Sequence, residues 1–144
     1  MSTPASILSL HDAAKPLLDF YQRGGVAPPE LLPIDGADMP EPFRKLLVHA
    51  DDMTPTLEHF HGARIHLRMV NREVTEAAYT REVILEAGEG NQPVEFGAIA
   101  IHLEQFPEAA RELILGESVP LGTILADHTI LHQSCPQAYF RVNS

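Results

Sequence analysis

Among the 144 residues, Arg81 is the one whose type and setting most demand a chemical explanation. Tyr79, Arg81, Val83 and Leu85 fall on one face of a period-two stretch, and Thr80, Glu82, Ile84 and Glu86 on the other. The second set is mostly polar and predicts a solvated face; the first is apolar apart from Arg81. A guanidinium on a buried face is costly unless it is paired and hydrogen-bonded. Its planar fork matches a carboxylate two-to-two, which suits it to anchor an organic acid. An internal partner such as Glu58 or Glu95, or a side chain that snorkels to the rim, would also satisfy it. The other reactive side chains form weaker patterns. His59 and His61 lie two apart on an expected helix, so they diverge and cannot easily share one ion. His128 and His132 have the i, i+4 spacing, but the helix that would align them is expected to end near Asp127. Neither HExxH nor CxxC is present, so these residues, with His66 and His102, read as solvated or hydrogen-bonded histidines. No metal and no cofactor is expected. Cys135 has neither the basic neighbour nor the helix N-terminus that would favour a thiolate. Asp51 and Asp52, being adjacent, point apart and read as solvated capping groups.

The elements that must position these residues are separated by Gly and Pro. Ser9 to Arg23 reads as a helix, with Leu17, Leu18 and Tyr21 on one stripe, Gly24-Gly25 stopping it and Pro16 shortening it to its later part. Gly24 to Pro40 is rich in proline and glycine and reads as an irregular surface connection. A short helical turn follows Pro42, running through Leu46, Leu47 and Val48. A second helix spans about Thr54 to Phe60, with Thr54 as its N-cap and Pro55 at its first position, and Gly62 ends it. Arg64 to Val70 then alternates with period two, placing Ile65, Leu67 and Met69 on one face. Tyr79 to Leu85 is the second strand, and the turn residues 88–91 lead to a third at Val94 to Leu103. Gly97 sits where the apolar phase shifts, so a bulge is expected there. Helices resume at Gln105 to Leu115 and Leu121 to Asp127, and Gln137 to Val142 is a last strand. Together these predict one α+β domain over residues 1–144, an antiparallel sheet covered by helices on one side.

Composition narrows the function. A chain of this length buries a sizeable core without disulfide or metal. The 44% hydrophobic and 21% charged content is that of a globular protein. A net charge of −10 with only ten Lys and Arg argues against a nucleic-acid partner. The lone Cys135 points to a reducing compartment. Apolar runs near six residues argue against a membrane span, and the Met-Ser-Thr-Pro start lacks a basic segment of secretory type. A cytoplasmic monomer or small homo-oligomer is expected.

Three segments carry a resemblance. Residues 46–54, LLVHADDMT, followed by Leu57-Glu58, resemble the L-L-x-x-D-S-M-T segment of the chorismate lyase (4-hydroxybenzoate synthase) family. Residues 80–85, TREVIL, are similar to that family's R-E-I-L-L strand, and residues 117–125, ESVPLGTIL, to its P-L-G-x-x-L-F turn and helix. The segments fall in the family's order over more than half the chain; more weakly, they resemble ligand-sensing domains of bacterial transcription regulators that share its fold. The resemblance implies an antiparallel sheet with a ligand held beneath helical flaps, and release of pyruvate from chorismate to leave 4-hydroxybenzoate. It implies that Arg81 binds the ring carboxylate, that Met53 and Thr54 lie by the pocket, and that the backbone at Leu121 and Gly122 helps hold the ligand. Two positions depart from the family. Residues 136–140, PQAYF, lack its acidic residue on the last strand, and Gly97 is followed by Ala98 where the family has an arginine. The chain also ends sooner, so part of a flap is expected to be missing.

Two functions follow. One is a lyase of the chorismate type, with Arg81 orienting the carboxylate and an acid such as Glu58 or Glu95, or water, handling the proton. The other is a non-catalytic module that binds a small aromatic carboxylic acid. The first 40 residues are too few and too rich in proline for a DNA-binding helix-turn-helix, which favours the enzyme.

Overall fold

The computed structural model describes residues 14–76 and 78–143. Its elements in chain order are α1 (Leu17–Arg23), β1 (Glu30–Pro33), α2 (Phe43–Leu47), α3 (Met53–His61), β2 (Ile65–Val74), β3 (Tyr79–Ala87), β4 (Gln92–Ile101), α4 (Glu108–Gly116), α5 (Leu121–Asp127) and β5 (Phe140–Asn143), with single 3-10 turns at Gly36–Asp38 and Leu103–Gln105. The protein is α+β, and β2, β3 and β4 form the expected antiparallel sheet in sequence order. Residues 9–13 of the first expected helix lie outside the described residues; after Pro16 it runs as anticipated.

The centre of the sheet follows from the alternation read in the sequence. Along β3, Tyr79, Arg81, Val83, Leu85 and Ala87 are buried while the residues between them are half-buried. Ile65 is buried on the same face of β2, and Leu67 and Met69 pack beside it. That face carries α3, α4 and α5. The opposite face is not bare, contrary to the one-sided covering expected. There α1 brings Phe20 and Arg23 over Thr80 and Ala100, and Tyr21 meets Phe96 edge-to-face at 6.4 Å.

Several boundaries moved, each for a nonlocal reason. The stretch from Gly24 to Pro40 is not wholly irregular: β1 lies within it and pairs antiparallel with β5, so the last strand stands apart from the main sheet. Proline is tolerated because Pro33 ends a strand at a two-stranded edge. The last strand begins at Phe140, later than expected. β2 continues past Val70 to Val74 through an irregularity between Met69 and Asn71, which shifts the alternation and sets Arg72 opposite Arg81. β4 starts at Gln92 and ends at Ile101. Its bulge is not at Gly97, which pairs regularly with Val83. It is at Val94, passed over between Pro93↔Glu86 and Glu95↔Leu85. α4 begins at Glu108 after the 3-10 turn, because Pro107 is held extended. α3 begins one residue before Thr54, so Asp52 takes the N-cap position; Gly62 closes the helix at φ 61°.

Candidate functional site

A cavity of about 450 Å³ lies between the sheet and the helices, within the ~300–1,000 Å³ range of small-molecule sites. Its floor is the inner face of β3 and β4, including Arg81, Val83, Leu85 and Glu95. Its roof is the start of α3 at Met53 and Thr54 and the start of α5 at Leu121 and Gly122. Ser134, Cys135 and Pro136, from the segment between α5 and β5, complete the wall. Arg81, Met53, Thr54, Leu121 and Gly122 are therefore brought to one place although they span 69 positions of sequence. Glu58 is not with them: its Oε2 accepts the Ile65 N–H at 3.1 Å, and the residue faces a separate groove between α3 and α5.

Arg81 is 2% exposed. Its Nη1 donates to the Ile114 carbonyl near the end of α4 at 3.3 Å, where the helix dipole favours a cation. Its Nε is buried with no hydrogen-bond partner. Among the described residues no carboxylate lies within ion-pair distance of it, so neither Glu58 nor Glu95 is the internal partner that the sequence left open. The acid that feels its charge is Glu117, which is already engaged. Oε2 of Glu117 accepts from the Tyr79 hydroxyl at 2.7 Å and from Arg72 Nη1 at 3.0 Å. The Tyr79 bond first, with Arg72 and Arg81 adding to it, holds the Glu117 carboxyl below the usual range against the opposing effect of desolvation. Burial first, then the bond to Glu117, push the Tyr79 phenol up, with Arg81 opposing. This frame was not legible in the sequence. Tyr79 stood out only as a face-mate of Arg81, and Glu117 lies 38 positions away at φ 60° beyond α4.

Glu95 is the second ionisable group of the floor. The bulge at Val94 lets Val94 pack with the core while Glu95 faces the same side as Leu85. Burial alone raises its carboxyl above the ordinary value, with no contribution from Arg81. Had the two been in contact, the guanidinium would have pulled it down. Strand register agrees, because the Leu85 level is four residues from Arg81, or about 13 Å along β3.

The roof is drawn tight at Gly122. A Cβ there would stand 2.6 Å from Thr54 Oγ1 and 2.8 Å from Thr54 Cβ, so glycine is what lets α3 and α5 approach this closely. Asp52 is not the solvated cap expected. It makes no side-chain cap bond and instead reaches His132 and Ser134. Cys135 is exposed to solvent as a residue while contributing to the wall. Among the described residues, no group of three or more His, Cys, Asp or Glu is arranged to hold a metal ion, and no helix is long and apolar enough to cross a membrane. Comparison of the chain with protein-family models, curated proteins and solved structures finds no match.

Proposed function

We propose that the cavity takes a small aromatic carboxylic acid with its carboxylate on Arg81, and that the chain acts on chorismate as a pyruvate-releasing lyase. One observation carries the anchor. Arg81 is buried at the cavity floor with its Nε unbonded, and no carboxylate among the described residues pairs with it. Desolvating a guanidinium without an anion is expensive, and a ligand carboxylate offsets that cost with charge-assisted hydrogen bonds. Leu85, Ile99 and Leu125 offer the apolar surface that an aromatic ring needs.

The lyase step asks for positioning and little else. The carbon–oxygen bond to the enolpyruvyl group breaks, the ring gives up a proton and becomes aromatic, and enolpyruvate takes a proton to become pyruvate. Aromatisation supplies driving force, so holding the anion in a reactive conformer away from water accounts for much of the acceleration. The last strand offers no acid, and Glu58 is turned away by its bond to Ile65. Glu95 is the carboxyl in the cavity whose pKa burial raises, so it holds a proton more readily than an exposed carboxyl and is the candidate to pass one to or from the ligand.

A second reading, binding without turnover, is favoured by a specific feature. Arg81 is the sole cation among the described residues lining the cavity, and Ala98 contributes none. Chorismate carries two carboxylates, whereas an aromatic monocarboxylate matches one arginine. The deciding experiment incubates the protein with chorismate and follows pyruvate and 4-hydroxybenzoate by proton NMR. Both products should form, and Arg81→Met should abolish their formation. Tight 4-hydroxybenzoate binding without either product would establish the binding module; neither binding nor turnover would overturn both readings.

A further inference from the structure

Asp52 spends both carboxylate oxygens on a segment some eighty residues away. Its Oδ2 lies 2.6 Å from His132 Nε2, and its Oδ1 accepts a 2.8 Å hydrogen bond from Ser134 Oγ. The other ring nitrogen, His132 Nδ1, lies 2.8 Å from the Ile130 carbonyl oxygen. Residues 130–139 form a strap with no helix or strand between α5 and β5, and Ser134, Cys135 and Pro136 of that strap are cavity wall. The Asp52 contacts thus tie the strap to the start of α3, beside Met53 and Thr54 of the roof.

A neutral imidazole has one N–H and one lone pair. Here both ring nitrogens face oxygens that only accept, a carbonyl on one side and a carboxylate on the other. The imidazolium alone donates to both. Loss of its proton turns one bond into lone pair against lone pair and removes the ion pair. The Ile130 carbonyl first and Asp52 second raise His132 above its ordinary value of 6.5, opposed by desolvation. The ionisable groups sharing its groove are Asp51 and Asp52, both from the residues that lead into α3 and both acidic.

We propose that Asp52, His132 and Ser134 form a proton-operated clasp, which holds the strap against the cavity while the imidazole is charged and releases it on deprotonation. The sign follows from the direction of the shift. A histidine whose pKa is raised in the closed form contributes its full hold below the ordinary imidazole value and loses it as pH rises through the higher one. The clasp stands on the strap geometry, whereas its effect on a ligand rests on the function proposed above.

The test uses the full chain with a trifluoromethyl tag on Cys135, the one cysteine in the sequence, read by fluorine NMR from pH 6 to pH 9. The closed resonance should dominate at pH 6. Its ratio to the open one should fall about two- to fivefold by pH 9, the scale of a partly exposed ion pair. His132→Gln should show a ratio that is low and flat with pH. His132→Lys, charged to about pH 10, should keep the closed population at pH 9. Against perturbation by the tag, the His132 ring protons of the untagged protein should titrate above 6.5, and Asp52→Asn should lower that midpoint. A pH-independent ratio in the wild type, or a His132 midpoint unmoved by Asp52→Asn, would overturn the clasp. Release of 4-hydroxybenzoate should quicken over the same pH range. If no aromatic acid binds, the proposed function fails while the tag and the histidine titration still decide the clasp.

Discussion

Two apolar clusters share β3 on either side of Arg81, and they are packed differently. Toward the start of the strand, Tyr79 joins Ile101, Ala110, Ile114 and Ile124, all between 0 and 2% exposed, under α4 and α5. Toward its end, Val83, Leu85 and Ala87 join Leu57 and Ile65 at 2 to 7%. The first cluster is closed. The second stops short of filling its space, and Val83 and Leu85 border the cavity. Arg81 stands where close packing ends. Its closed side offers a helix-terminal carbonyl and lies next to the Tyr79–Glu117–Arg72 frame, and its open side faces the cavity. One strand therefore carries a close-packed half and a cavity-lining half, divided at a single charged residue.

The strongest way to break this division is a crossed pair of substitutions. Ile114→Ala opens a hole in the closed cluster and should cost roughly 2–5 kcal/mol of folding stability in denaturant titrations. The folded fraction should bind 4-hydroxybenzoate as before. Arg81→Met should do the reverse. The Ile114 carbonyl keeps its bond from the Glu117 N–H at 3.2 Å, and no carboxylate among the described residues is stranded, so stability should hold or rise slightly. Affinity for 4-hydroxybenzoate should fall by about 2–5 kcal/mol in calorimetry. If both variants lose stability and neither changes binding, the two halves are one core and Arg81 is structural.

A smaller effect is expected at the roof. Gly122→Ala places a methyl group against Thr54, forcing α5 away from α3 at a cost of roughly 1–3 kcal/mol. Because the clash lies at the cavity roof, binding should weaken together with thermal stability. A variant as stable as wild type would show that the helices separate freely there.

The smallest effect belongs to Glu95 and depends on pH. Burial raises its folded pKa, so the unfolded chain gives up this proton first. Stability then falls as pH climbs from the ordinary carboxylate value through the raised one. Glu95→Gln should match wild type in melting temperature near pH 4 and exceed it at pH 8. Equal melting temperatures at both values would mean that the carboxyl is solvated and not part of the cavity floor.

Arg81 was legible because alternation is a backbone property: in any strand, residues 79, 81, 83 and 85 share a face, and a lone cation among apolar neighbours shows as an anomaly. The limits of α5 were legible for a similar reason, since Pro120 presets its entry and local pattern sets its length. β1 was not, because a four-residue strand in a proline-rich stretch forms only where β5 arrives to pair with it. The sequence predicts a bulge at Gly97 and the sheet has it at Val94, because glycine marks where a kink is cheap, while the register of two strands decides where one occurs.

By itself, then, the sequence determined the three central strands, the face on which Arg81 lies, and which segments carry Met53, Thr54, Leu121 and Gly122. These depend on periodicity, turn residues and helix stops acting over a few positions. Only the tertiary structure decided that those segments meet around one cavity, that Glu58 turns away while Glu95 faces in, and that Asp52 holds His132 instead of capping its helix. Each of those outcomes depends on distances between residues tens of positions apart. Such distances are set by how helices and sheet pack, and no local pattern encodes them.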